Sequence, residues 1–87
     1  MESKQQAREA IARGCSDYAT RVVNAENWLV DTLAEIGGIN NIGARRAAEV
    51  FKRERLAKPD FAQSRYTFVH GAFLTRDVIR RAAGVES

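Results

Sequence analysis

Two side chains in this chain could support nucleophilic or acid–base chemistry: the single histidine, His70, and the single cysteine, Cys15. An unperturbed imidazole titrates near neutrality and can serve as a general base or a metal ligand. His70 closes the stretch "RYTFVH", where aromatic and β-branched residues alternate with a period of two, and Gly71 follows it. A protein-only structural zinc site needs about four ligands, which one histidine and one cysteine do not supply. A Cys15–His70 nucleophile pair would lack a third, orienting group. Cys15 also falls in an apolar helical stripe, where a buried thiol is inert. "GGIN", at Gly37 to Asn40, lacks the Lys-Ser/Thr ending of a phosphate loop and the glycine spacing of a dinucleotide fingerprint. The residues point away from catalysis. We expect no enzyme activity, no metal and no cofactor, and His70 reads as a strand-end residue beside a turn.

The remaining polar chemistry is the recognition of anions. A helix is expected from about Ile42 to Ala57, ending before Pro59, because the residue preceding a proline is pushed out of helical geometry. At 100° per residue, Ala44, Ala47, Ala48 and Phe51 cluster on its inner side, with the stem of Arg55 beside them. Roughly opposite, within an arc of ~120°, lie Arg45, Arg46, Lys52 and Arg53, with Glu49 among them. Phosphate binding needs several cations on one rigid surface, which these four provide. Glu49, at helical spacing from Arg45, Lys52 and Arg53, equally supports an ordinary solvated face laced with ion pairs.

The charge of the whole chain leans the same way. Residues 1–44 carry four basic and six acidic side chains, a net −2, whereas residues 45–87 carry ten basic and five acidic, a net +5. Such asymmetry suggests that a polyanion or an acidic protein surface faces the second half.

These residues need elements to hold them. At 87 residues, 45% hydrophobic and 29% charged, the chain has the composition of one folded domain spanning residues 1–87. One cysteine excludes an internal disulfide. No apolar run approaches the ~18 residues of a membrane span or the plan of a signal peptide, so no membrane partner and a cytoplasmic location are expected.

A helix opens at Ser3, with Gln6 completing a capping box. Its apolar stripe runs through Ile11, Cys15, Tyr18, Val22, Ala25 and Leu29 at alternating spacings of four and three, then Leu33 and Ile36. That is a seam of coiled-coil type, closed by Gly37 and Gly38. Unbroken, the helix would be ~50 Å long against ~30 Å for a compact domain. A break near Gly14, recapped by Ser16 or Asp17, is therefore expected, although a helical glycine costs only ~1 kcal/mol. The alternative is a homodimer through residues 11–36. Trp28 reads as a core residue.

Asn40 and Asn41 are placed to cap the basic helix. After it, Tyr66, Phe68 and His70 fall on one side of a strand and Thr67 and Val69 on the other, with Gly71 free to make a hairpin turn before Leu74. A last helix opens at Thr75, carries Asp77 in its first turn, buries Thr75, Val78, Ile79 and Ala82, and ends before Gly84. The fold class is mainly α, with three or four helices and one short β-hairpin. In order of elements, residues 28–82 are similar in outline to winged helix-turn-helix DNA-binding domains. That resemblance implies a regulatory, nucleic-acid-binding function in which the helix over 42–57 meets phosphates and can reach base edges, with Arg65 in the extended segment as a further contact. The competing class is a protein-interaction module, such as a small inhibitor or adaptor. It would use the same basic face, or the seam around Tyr18 and Trp28, against an acidic partner.

Overall fold

The computed structural model describes residues 4–72 and 74–85, with side chains from residue 17 onward. It is mainly helical with one two-stranded hairpin, in the order α1 (Lys4–Gly37), α2 (Asn41–Arg53), β1 (Ala57–Asp60), β2 (Arg65–Phe68) and α3 (Arg76–Ala82). The Ser3 cap and the side chains of Ile11 and Cys15 lie outside the described residues.

The expected break at Gly14 does not occur. α1 is one helix of 34 residues, ~51 Å at 1.5 Å per residue. Helix propagation is cooperative, and the penalty of a single glycine is small beside it. The length conflict is resolved by shape, since the molecule measures 63 × 25 × 17 Å and α1 runs on past the body formed by the other elements.

All three helices end in the same way. The Ile39 N–H donates to Ala34 O, the Leu56 N–H to Phe51 O and the Val85 N–H to Arg80 O. The residue before each donor is left-handed: Gly38 (φ 60°), Arg55 (φ 59°) and Gly84 (φ 77°). These are Schellman ends. Two use glycine, and α2 uses an arginine. This is why α2 stops at Arg53 rather than near Ala57, and why Arg55 is exposed instead of lying along the Ala44/Phe51 face. Ala57 and Pro59 belong to a strand.

The hairpin also lies earlier than expected. Ala57 pairs with Phe68 and Asp60 with Arg65 in antiparallel register, closed by a 3₁₀ turn at Phe61–Gln63 and a left-handed Ser64. Pro59 is tolerated because each strand of a two-stranded sheet is an edge. Gly71 (φ 92°) does make a turn, with the Ala72 N–H donating to Val69 O, but it leads from β2 towards α3. His70 sits exposed in that turn.

The core gathers where α1, α2, the hairpin and α3 meet, around Leu29, Leu33, Phe51 and Ile79. Ala44, Ala47 and Ala48 are fully buried or nearly so, and their small side chains let α2 approach α1 and α3 closely. Ala25, Leu29 and Leu33 of the α1 seam serve this core. A homodimer through residues 11–36 would have to use the part of α1 before Ala25. Trp28 is half-buried, its ring 6.0 Å from that of Phe68.

Candidate nucleic-acid interface

The basic helix is held at both ends by local chemistry. Asn40 Oδ1 accepts from the Gly43 N–H at 2.9 Å and caps the first turn. At the other end, the Schellman turn at Arg55 ties Leu56 back to Phe51. Between them, buried Ala44, Ala47, Ala48 and Phe51 fix the inner face, so the outer face projects from a rigid support.

Four of the five expected site residues lie on α2, and three of them share one exposed ridge. Arg45, Arg46 and Arg53 are exposed, and none takes part in an ion pair among the described residues. Lys52 stands apart. At ~100° per residue it falls between Arg45 and buried Ala48, ~20° from the first and ~40° from the second, and what separates it from the arginines is its contact with α1. Its ammonium donates to both carboxylate oxygens of Glu26, at 2.9 and 3.0 Å, and lies 2.8 Å from Glu49 Oε1. Lys52 is thus a structural tie between helices, already neutralised by two carboxylates.

Tyr66 joins the same cluster from β2, its hydroxyl donating to Glu26 Oε1 at 2.6 Å. Burial by itself raises the Glu26 carboxyl. The hydrogen bonds from Tyr66 and Lys52, with the Lys52 charge, outweigh it and hold the pKa below the usual value. Burial by itself lowers the Lys52 ammonium, but its bonds to Glu49 and Glu26 raise it above its ordinary value. Burial and the bond to Glu26 push the Tyr66 hydroxyl up to about 12.

Arg65 is not brought to the α2 ridge. It sits at the closing end of the hairpin, exposed, with Nε 3.7 Å from its cross-strand partner Asp60. The neighbouring Phe61 packs edge-on against Tyr18 of α1, their ring centroids 5.7 Å apart. The hairpin tip therefore turns towards α1, about two helical turns beyond the Lys52–Glu26 contact.

Sequence reasoning missed two features. One is the Glu26–Lys52–Tyr66 tie, hinted at only by the position of Lys52 beside the alanine face. The other is Ile42, 66% exposed on the same ridge as the arginines. Its side chain lies mostly outside the core, a fact that the bare hydrophobic count conceals.

Among the described residues, no three metal-ligating side chains come together, and no helix is long and apolar enough to cross a membrane. No family model, no curated protein and no solved structure matches this chain.

Proposed function

We propose that this protein is a small nucleic-acid-binding protein that meets phosphates through the outer ridge of α2. The observation that carries the reading is that Arg45, Arg46 and Arg53 project from one rigid helix face with no ionic partner among the described residues, directly opposite a buried stripe. Cations so placed need no rearrangement to replace the counterions of a polyanion. The net +5 of residues 45–87 extends the favourable field beyond the ridge. The hairpin turns towards α1, so the reading rests on α2 and gives Arg65 a peripheral part at most. Labelled duplex DNA, duplex RNA and single strands titrated at several salt concentrations test it. Binding that weakens steeply with salt is expected, and no binding to any of the three at low salt contradicts it.

A protein partner is the second reading, and a different surface favours it. Tyr18, on the seam face of α1 ahead of the core, is 57% exposed, and Val22 beside it is half-buried. A second copy or another protein would cover this face. Sedimentation of the wild type and of Val22→Asp separates this reading from the first, since an assembly through this surface should dissociate when a carboxylate enters it.

A further inference from the structure

The ridge of α2 carries two residues that phosphate binding does not require. At ~100° per residue, Glu49, Ile42 and Arg53 fall between Arg45 and Arg46, within an arc of ~100°. The two arginines thus mark the edges of the ridge and the other three its centre line. Ile42 stands 66% exposed near the first turn. Glu49 is 72% exposed one turn beyond Arg45, and Lys52 Nζ lies 2.8 Å from its Oε1.

An apolar side chain and a carboxylate are poor choices for a surface that only binds phosphates. The first adds nothing to the charge, and the second repels the backbone. Both have a use against base edges. A carboxylate accepts from the exocyclic amine of cytosine, and an apolar group contacts the methyl of thymine, both of which are presented in the major groove of B-form DNA. That groove, ~12 Å wide, admits an α-helix, and α2 with its side chains is ~10–12 Å across. The major groove of A-form RNA is too deep and narrow for side chains to read. Lys52 restrains the Glu49 carboxylate and leaves its second oxygen to accept a hydrogen bond.

We infer that α2 enters the major groove of duplex DNA and reads sequence there, Ile42 against a thymine methyl and Glu49 against a cytosine amine, with Arg45 and Arg46 reaching the phosphates on either side. This rests on the nucleic-acid reading above and narrows it from polyanion to duplex DNA. Glu49 contributes specificity rather than affinity, since Lys52 already offsets its charge and its free oxygen gains a partner only where a cytosine amine meets it.

The test is selection of duplexes from a randomised pool by the full chain, followed by binding measurements on the selected duplex, on single-base variants of it and on an RNA duplex of the same sequence. The wild type should prefer its selected DNA duplex to the RNA duplex and discriminate at a thymine and a cytosine position by roughly tenfold. Ile42→Ala should lose only the thymine preference. Glu49→Gln should lose the cytosine preference and bind unselected duplexes more tightly. Both side chains face solvent, so circular dichroism should show both variants folded. Salt-dependent binding without sequence preference, or preferences unchanged in both variants, overturns this inference and leaves the nucleic-acid reading standing. Absence of binding to any nucleic acid overturns both.

Discussion

Lys52 and Glu26, 26 residues apart, form a bidentate contact that ties α2 to α1 across their interface. A cation that the sequence groups with three exposed arginines is thus occupied within the fold. Lys52→Ala should lower stability by about 1–2 kcal/mol, the range between a charge-assisted hydrogen bond and an exposed ion pair, because both side chains are only partly buried. Urea unfolding measures the loss. The salt dependence of nucleic-acid binding should stay unchanged, in contrast to substitution of Arg46 or Arg53.

The same cluster sets the pH range of stability. Glu26 has a depressed pKa, so its contribution is complete above the ordinary carboxylate value and is lost as pH falls through the folded one. Lys52 and Tyr66 are raised, so theirs are complete below their ordinary values of 10.5 and 10.0 and are lost as pH rises, for Tyr66 between 10.0 and about 12. Thermal melts should show a plateau that falls away in acid below about pH 5 and in alkali above about pH 10. Glu26→Gln should flatten the acid limb, and Tyr66→Phe should reduce the alkaline one.

Two buried glycines should respond oppositely to alanine. A Cβ on Gly37 would lie 2.7 Å from Cγ2 of fully buried Ile79, which has no room to withdraw. Gly37→Ala should therefore cost about 1–3 kcal/mol. A Cβ on Gly43 would meet its neighbours at 3.5 Å or more, ordinary contact. Gly43→Ala should gain up to about 1 kcal/mol from helix propensity. Denaturation midpoints of the two variants decide it.

Arg55 holds a left-handed φ of 59° at the end of α2, where glycine is the residue that carries no steric penalty. Arg55→Gly should stabilise the protein by about 0.5–1 kcal/mol, partly offset by the greater freedom glycine gives the unfolded chain. A chemical denaturation curve shifted to lower midpoint would contradict that account of the helix end.

This residue also shows where the sequence was hard to read. The ends of α1 and α3 were legible because Gly38 and Gly84 announce a left-handed end. The caps Asn40 and Thr75 were legible because their side chains satisfy N–H groups two or three residues on, as they do for Gly43 and Val78. An arginine in the same backbone role carries no such signal, so α2 reads about one turn too long and takes in Ala57, the first residue of β1. With the start of that strand hidden and Pro59 read only as a helix stop, the hairpin falls to the glycine turn after β2. Gly14 points the opposite way, since a compact domain of this length requires a break there and the molecule is elongated instead. The site was legible as far as helical periodicity reaches: the periodicity separated the arginine ridge from the alanine stripe. It did not place Lys52 against Glu26, because that pairing depends on how α1 and α2 pack.

The most direct test of the arginine ridge is the slope of log Kd against log salt for duplex DNA, compared between the wild type and the triple variant Arg45→Ala, Arg46→Ala, Arg53→Ala. All three side chains face solvent, so the variant should unfold at nearly the wild-type urea midpoint. The account predicts weaker binding and a slope shallower by ~0.9 for each phosphate contact removed, up to about 2.7 units if all three arginines meet phosphates. A folded triple variant with the wild-type Kd and an unchanged slope would contradict it.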